Sequence, residues 1–384
     1  MYLIEADAKQ ILEDHGLPVP PGRRFYPAGA PIEAHPNPVA AKAQVLAGGR
    51  GKAGLVRLTD GAGAQDAIEG IREALVGLDK EPMVLVEDQI KFTGECYLAW
   101  RIDDQSAQPT LMFSKSGGVD IEENPDTIRE WRGDALAPVR ASDLLRFFAE
   151  AGLEGRTLGA AARFAADLWR VMQVEDASLI EINPLAITPK GDVIALDCKM
   201  TLDENAEARH REWERLPSFT LQQAGKTPLE LRAAEQGFTF VELDGDVALF
   251  TGGAGLGMAL VDMLGDAGHS AANFVDAPGG SGNAIFAPLT QLVFQRAQDP
   301  KVKAIILFFT LSATSLKGVV ESILTLLETT SPPKPLIVGL VAAGAAEREM
   351  TLAQAQAAFK ERGVECVSEL VDAIRLVDEV SGKA

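Results

Sequence analysis

The sequence predicts an α/β protein with two successive domains, a mixed α+β domain over residues 1–237 and a doubly wound, mostly parallel domain over residues 238–384. Three observations support this prediction. The chain has 384 residues, which is more than one ordinary hydrophobic core accommodates. Its first part mixes short β-like runs with separate helices. Its last part alternates strand and helix from Gly245 onward, which is typical of a parallel sheet covered on both faces.

The composition is that of a folded globular protein, because 47% of the residues are hydrophobic, 24% are charged and no tract is biased. A net charge of −19 repels a phosphate backbone, so nucleic acid is not an expected partner. No apolar run is long enough to cross a bilayer and the N-terminus lacks a signal-peptide pattern, so we expect a cytoplasmic protein without membrane contact. The three cysteines and four histidines lack the spacing of a disulfide framework, a zinc site or a catalytic triad.

The first domain opens with a predicted helix over residues 7–15, which turns Ala8, Ile11 and Leu12 inward and ends at a Gly- and Pro-rich stretch. A small α+β unit follows. Its β-like runs and the apolar residues of its helix are residues 39–43, 84–87 and 97–102 with Ile68, Ile71 and Leu75.

A longer helix is predicted over residues 156–174 and leads into a hairpin whose turn is the run Pro-Lys-Gly-Asp at residues 189–192. The apolar stripe of this helix consists of Ala161, Phe164, Leu168 and Met172. Residues 203–237 are charged, contain few large apolar side chains and read as a connecting region. The domain boundary is therefore expected near residue 238.

The second domain alternates strands and helices in an order that predicts a flavodoxin-like fold. The predicted strands are residues 247–250, 273–275, 304–309, 336–341 and 365–367. The predicted helices between them are residues 258–265, 289–297, 318–329 and 352–362, with a final helix after the last strand.

Residues 41–54 contain the first group of residues with chemical meaning. Several glycines there allow close backbone approach to a ligand, and Lys42, Arg50 and Lys52 concentrate positive charge in an acidic protein. Polyphosphate is the natural ligand of such a segment, although its spacing is not that of a Walker A loop. An ordinary basic surface turn is the alternative.

The predicted hairpin forms the second group. If its turn centres on Lys190, Asn183 lies opposite Asp197, and Glu181 lies opposite Lys199. A carboxylate and an amide oxygen at cross-strand distance suit the Mg²⁺ that accompanies ATP phosphates. A hairpin with a solvated polar face is the alternative, and a register slip of one residue would separate the pair.

These segments together resemble the ATP-grasp region of succinate–CoA ligase β subunits. The matching motifs are Gly16-Leu17-Pro18, Lys42 to Gly54, Val86-Glu87, Glu95 to Leu98, Gly117 to Glu122, Glu181 to Leu185, and Asp197-Cys198-Lys199. The resemblance implies an ATP-grasp nucleotide-binding domain of two subdomains over residues 1–237 and a succinyl-CoA-synthetase-like ligase domain over residues 238–384.

The resemblance also implies residue roles. Lys42 and the run Gly49-Arg50-Gly51 would contact ATP phosphates, Glu87, Ile90 and Glu95 would bind the base and ribose end, and Asn183 with Asp197 would hold Mg²⁺. Glu181 is similar to the catalytic carboxylate that orients the partner's phosphohistidine loop. Pro20 stands where GTP-preferring relatives tend to carry another residue, which favours ATP.

In this family, phosphate moves from ATP to a histidine of a CoA-binding α-type subunit and then to a small carboxylic acid. The present chain has no histidine in a suitable Gly-rich loop, so the resemblance implies half of a heterodimer or heterotetramer, with CoA bound mainly by the partner. Scarce histidines alone would carry no such meaning. The alternatives are a nucleotide-binding regulatory subunit without acid activation and a stand-alone ATP-grasp carboxylate–amine ligase.

The second domain departs from the family at three loops that follow predicted strands. Residues 251–258 follow a strand and open a helix, which suits an anion; a Rossmann dinucleotide site fits the glycine spacing poorly. Gly252 stands at the family's asparagine position, and residues 308–315 and 277–282 replace two glycine-rich loops. The expected substrate residues are Gly252, Gly253, Thr310, Leu311 and Ser312. The added hydroxyls predict a carboxylic acid other than succinate, with another anionic or polar end such as a sulfonate.

Overall fold

The computed structural model describes residues 1–46, 50, 53–118, 125–275 and 282–382. The chain divides into two compact units, Met1–Gln222 and Gln223–Ala384. The sequence predicts the boundary after residue 237, within the same run of short helices. In the described ranges, no helix is both long enough and apolar enough to cross a membrane.

The first unit combines two antiparallel sheets with helices packed against them. Its elements, in chain order, are α1 (Glu5–Asp14), β1 (Arg24–Tyr26), β2 (Val39–Ala43), β3 (Val56–Thr59), α2 (Ala64–Gly77), β4 (Val84–Asp88), β5 (Gly94–Asp103), β6 (Gln108–Ser114), β7 (Arg129–Arg132), α3 (Ala141–Glu150), α4 (Gly155–Val174), β8 (Ala177–Ile187), β9 (Val193–Ala195), β10 (Lys199–Leu202) and α5 (Pro217–Ala224).

The smaller sheet has the strand order β1-β4-β2-β3 and is covered by α2, whose predicted apolar residues are fully buried. The larger sheet has the order β10-β8-β5-β6-β7, with β9 paired to β8. Helix α4 covers it through the predicted stripe Ala161, Phe164, Leu168 and Met172, all of which lie in its core. Both predicted helix faces are therefore confirmed.

Helix α1 differs from its prediction, because it begins at Glu5 instead of residue 7 and ends at Asp14. Its acidic first turn suits the positive end of the helix dipole. The predicted inward residues are buried, but so are the charged Glu5 and Lys9. The helix is thus enclosed on more sides than its apolar pattern indicates.

The second unit is a doubly wound α/β domain, which confirms the predicted fold class. Its elements are α6 (Pro228–Glu235), β11 (Phe240–Glu242), β12 (Val247–Thr251), α7 (Ala254–Asp266), β13 (Asn273–Val275), α8 (Phe286–Arg296), β14 (Ala304–Leu311), α9 (Leu316–Thr329), β15 (Leu336–Ala342), α10 (Leu352–Glu361), β16 (Glu365–Val367) and α11 (Leu370–Ser381).

Strands β12, β14, β15 and β16 form a parallel sheet in that order. Alternate side chains of β14 enter opposite cores, with Phe309 on the face of α8 to α10 and Phe308 on the face of α7 and α11. Beside β12, the Asn273 side chain accepts from Leu249 N–H at 3.0 Å and donates to its carbonyl at 2.7 Å, so it extends the sheet towards β13.

Several element ends differ from the prediction, and two of these differences bear on the expected acid residues, at the edge where ligands bind in such folds. Strand β14 continues to Leu311 because β15 pairs with it through Ala342. Helix α7 begins at Ala254, four residues before its predicted start at Met258. The intervening Gly257 has a packing reason, since a Cβ there would lie 2.7 Å from Thr251 Oγ1.

Candidate nucleotide site and acid loops

The hairpin of the first unit has the predicted register. Lys199 lies opposite Glu181, and Ala195 lies opposite Leu185. Asn183 and Asp197 fall between these pairs, at facing positions of the same register. Of the residues that period-two alternation places on the other face, Ile180, Ile182 and Cys198 are buried, whereas Leu196 is only half-buried. The Glu181 carboxylate accepts a hydrogen bond from Tyr97, whose pKa is raised first by burial and then by this negative charge.

Asn183 is held by a glycine turn that follows β6. Gly118 N–H donates to Asn183 Oδ1 at 2.6 Å, and the Asn183 amide donates back to the Gly118 carbonyl at 3.2 Å. A Cβ on Gly117 would lie 2.6 Å from the Cys96 backbone, so only glycine allows this approach. A Cβ on Gly118 would lie 3.0 Å from Glu95 Oε1, so the half-buried Glu95 carboxylate borders the same turn.

A buried group of six charged side chains joins α1, the small sheet and the segment after β9. We call it the ion cluster; its members are Glu5, Lys9, Lys42, Arg50, Glu87 and Asp197. Three are cations and three are anions, so the charges of the ion cluster balance. Balance of this kind is what permits charged groups to lie inside a protein.

Glu5 is the centre of the ion cluster. Its carboxylate lies 2.7 Å from Lys9 Nζ, 2.8 Å from Lys42 Nζ and 2.6 Å from Arg50 Nη1. Burial opposes its ionisation, but the three positive charges outweigh burial and hold the pKa of Glu5 well below its ordinary value. The same attraction overcomes burial at Lys42 and Arg50 and raises the pKa of both.

Glu87 and Asp197 complete the ion cluster. Glu87 accepts from Lys9 at 2.7 and 2.8 Å and lies 2.7 Å from Lys42 Nζ. Arg50 Nη2 donates to both oxygens of Asp197, at 2.7 and 2.8 Å. A charge-balanced cluster beside the hairpin is therefore built from residues that are far apart in sequence.

The structure thus brings together four of the expected nucleotide and metal residues, Lys42, Arg50, Glu87 and Asp197, and places Asn183 and Glu95 around one turn. Ile90 is half-buried just after β4. Gly49, Gly51, Lys52 and residues 119–122 of the expected motifs lie outside the described residues. Glu5 and Lys9 were not among the predicted site residues. Their i,i+4 spacing in the first turns of α1 is the one signal that could have indicated a pair.

Asn183 and Asp197 offer the hard oxygen ligands that Mg²⁺ prefers. Neither here nor elsewhere among the residues that the structure describes does a group of three or more His, Cys, Asp or Glu side chains form that could hold a metal ion. An amide and a carboxylate leave most of the coordination shell to other oxygen donors, as is usual for magnesium held with phosphates. The pair therefore fits a nucleotide-bound cation.

The expected acid residues of the second unit lie at the carboxyl edge of the parallel sheet. Gly252 follows β12, and its N–H donates to the Phe308 carbonyl at 3.0 Å. Thr310 and Leu311 are the last residues of β14 and pair with β15, so they belong to the sheet and not to a loop. Thr310 and Ser312 are exposed, whereas the Leu311 side chain lies in the core.

Two further loop residues bear on the acid prediction. Gly253 adopts φ 116°, which favours glycine, and precedes α7. Ser315 accepts a hydrogen bond from Gly318 N–H and caps α9, so its hydroxyl is already engaged. Residues 277–281 of the third altered loop lie outside the described residues.

Comparison with known families agrees with the order of the two units. A family model described as ATP-grasp domain matches residues 2–187, and one described as CoA-ligase matches residues 249–380. The protein is therefore an ATP-grasp ligase chain with a CoA-ligase domain.

The curated relatives specify the family. The succinate–CoA ligase [GDP-forming] subunit beta of Thermus thermophilus is 35% identical, with 91% of this chain and 92% of the relative covered. The succinate–CoA ligase [ADP-forming] subunit beta of Rubrobacter xylanophilus is 34% identical, with 92% and 93% covered. The chain belongs to the succinate–CoA ligase β-subunit family and is an acid–thiol ligase subunit.

A solved structure supports the fold. The ATP citrate lyase from Methanothrix soehngenii, in complex with citrate and coenzyme A, has a TM-score of 0.70 at 20% identity, with 98% of this chain and 99% of that chain covered. The family and the fold expected from the sequence are both confirmed.

Proposed function

We propose that this chain binds Mg-ATP in its first unit and phosphorylates a histidine of an α-type CoA-binding partner, leading to the acyl phosphate and acyl-CoA of an acid other than succinate. The hairpin register is the observation that supports the nucleotide part most strongly. Its observed pairs, Glu181 with Lys199 and Leu185 with Ala195, bracket Asn183 and Asp197, and Arg50 links Asp197 to the buried Glu5.

Each expected residue has a role in this proposal. Lys42 and Arg50, with the glycines Gly49 and Gly51, receive the phosphates, and Glu87 holds Lys42 in place. Ile90 and Glu95, together with Glu87, line the nucleoside end. Asn183 and Asp197 would hold Mg²⁺, which neutralises phosphate charge when bound. Pro20, which is buried, favours ATP over GTP.

The proposed transfer moves one phosphoryl group between two nucleophiles. The bond between the γ-phosphorus and the oxygen bridging it to the β-phosphate breaks, a bond from that phosphorus to an imidazole nitrogen of the partner forms, and ADP leaves. Such a transfer depends mainly on positioning and charge neutralisation. Lys42 and Arg50 supply fixed positive charge, and Glu181, held by Tyr97, orients the incoming histidine loop.

The acid part rests on the second unit. Gly252, Gly253, Thr310, Leu311 and Ser312 lie at one edge of the sheet, with exposed hydroxyls at Thr310 and Ser312. Hydroxyl groups donate single hydrogen bonds in adjustable directions and suit a polar or sulfonate end. A family asparagine at position 252 would instead present an amide.

The test is reconstitution with a CoA-binding α-type subunit and ATP labelled at the γ-phosphate. We expect acid-labile, base-stable label on the partner, discharged by CoA and an acid. Label that no acid in a broad panel discharges would favour a regulatory subunit. Acid-dependent ADP formation without the partner would favour a stand-alone carboxylate–amine ligase.

A further inference from the structure

Arg50 occupies both oxygens of the proposed metal ligand. Its Nη2 donates to Asp197 Oδ1 at 2.7 Å and to Oδ2 at 2.8 Å, while its Nη1 lies 2.6 Å from Glu5 Oε2. The guanidinium therefore bridges a buried carboxylate on α1 and a carboxylate that follows β9. The Asp197 side chain is 37% exposed, so of these two carboxylates it is the one that solvent ions can reach.

A divalent cation and this guanidinium compete for the same oxygens. Two positive groups on one carboxylate repel each other, and charge-assisted hydrogen bonds such as those from Arg50 Nη2 are among the stronger protein contacts. A metal that binds Asp197 is therefore opposed by Arg50 for as long as the guanidinium keeps this contact. The free-energy cost of moving Arg50 off Asp197 falls when another anion binds the guanidinium, and a polyphosphate is such an anion.

Arg50 can also move away from Asp197 without leaving a buried carboxylate of the ion cluster unpaired. Lys9 and Lys42 each contact both Glu5 and Glu87, so these two carboxylates keep their partners when the arginine side chain moves. Arg50 Nη1 can keep its contact with Glu5 during this movement. The arginine side chain can thus rotate about that contact while the buried charges stay compensated.

We infer that Arg50 is an internal competitor of the divalent cation at Asp197, so that the site accepts the metal together with a polyphosphate and resists the metal alone. This inference rests on the proposed function, because that function assigns Asp197 to the metal. Arg50 acts as a positioning residue, because it makes binding of the metal depend on binding of the nucleotide.

The experiment measures Mn²⁺ binding by electron paramagnetic resonance in the full chain, with and without ATP. The variants are Arg50→Lys, which keeps a charge for Glu5 but loses the two-pronged contact, and Arg50→Gln, which loses both. Arg57→Lys, an exposed arginine bonded to the Gly70 carbonyl, is the matched control. Each variant is repeated with Asp197→Asn to isolate Mn²⁺ bound at this carboxylate from Mn²⁺ bound elsewhere on the acidic surface.

We expect the Asp197-dependent affinity for Mn²⁺ alone to rise about tenfold in Arg50→Gln, because a charged hydrogen-bonded competitor is removed, and to rise less in Arg50→Lys, which keeps the charge but loses the paired hydrogen bonds. The wild type should gain that affinity only with ATP, and Arg57→Lys should match the wild type. Arg50 variants that bind Mn²⁺ alone no better than the wild type, while all bind Mn-ATP through Asp197, would overturn the inference and leave the proposed function intact. Mn-ATP binding that is insensitive to Asp197→Asn would overturn both.

Discussion

The residues proposed to bind ligands differ between the two units in burial and in charge. The proposed nucleotide site of the first unit is a largely buried, charge-balanced ion cluster held between a helix, a small sheet and a hairpin segment. The acid residues of the second unit are neutral groups at the edge of a sheet whose core does not depend on their side chains, Leu311 excepted. Substitution in the ion cluster therefore affects folding and chemistry together, whereas the sheet edge can change its ligand and keep its fold.

The largest expected effect is at Asp197. Asp197→Asn keeps the shape of the side chain but removes the charge that Arg50 and the metal share, so partner phosphorylation should fall at least about a thousandfold. Asp192→Asn is the matched control, because Asp192 lies in the turn of the same hairpin and pairs only with exposed Arg156. Phosphorylation is measured by label transfer from ATP. Equal rates in the two variants would remove Asp197 from the site.

The next effect is on stability, at Glu5. Glu5→Gln leaves three cations of the ion cluster short of a buried anion and should lower the free energy of unfolding by about 3–5 kcal/mol. Glu13→Gln changes an exposed carboxylate on the same helix, paired with Arg23, and should cost about 0–1 kcal/mol. Urea titrations compare the two variants. A cost at Glu5 no larger than that at Glu13 would contradict a buried ion cluster.

The same residue sets a dependence on pH. Because its pKa in the folded protein lies well below the ordinary value, Glu5 contributes its stability fully above about pH 4.3 and loses it as the pH falls through the folded-state pKa. Acidification below pH 4 should therefore destabilise the wild type more steeply than Glu5→Gln.

Local sequence patterns predicted the hairpin of the proposed nucleotide site but could not predict the ion cluster. The hairpin register follows from a turn centred on Lys190 and from period-two alternation, both readable over some twenty residues. The ion cluster does not follow from such patterns, since Lys9 meets Glu87 across a separation of 78 positions. Burial of Glu5 and Lys9 depends on that tertiary contact, whereas an amphipathic pattern counts only apolar residues.

In the second unit, too, local sequence patterns predicted one feature and missed another. Strand and helix alternation predicted its fold, but the end of β14 depends on pairing with β15 through Ala342. Thr310 and Leu311 consequently lie in a strand where the sequence suggested a loop. The roles of the site residues, Gly49 and Gly51 included, remain predictions.

A smaller effect should appear when the acid residues are altered. Gly252→Asn restores the amide of the succinate-type loop, and its Cβ would lie 3.3 Å from Phe309 Cδ1, which requires only a slight shift. We expect kcat/KM for succinate relative to other acids to rise about tenfold, with the KM for ATP unchanged. Gly255→Asn, which enters open space at the start of α7, is the control. A change in the KM for ATP instead would show that the two sites are not separate.

The smallest effect is expected at the cysteines. Burial raises the pKa of Cys96 in the first unit to about 11 and that of Cys366 in the second to about 12. Few thiolates form at pH 8, so iodoacetamide should modify neither in the native protein and activity should be unchanged. Mass spectrometry reads the labelling, with urea-unfolded protein as the positive control. Rapid alkylation of the half-buried Cys366 in the native protein would contradict its raised pKa.

Steady-state ADP formation by the reconstituted complex, measured over a panel of carboxylic acids with saturating CoA, tests the central claim most directly. An intact nucleotide site combined with a rebuilt acid edge predicts CoA-dependent turnover with kcat/KM highest for an acid other than succinate, one carrying a second polar or sulfonate group. Succinate far ahead of every other acid in the panel would contradict the account.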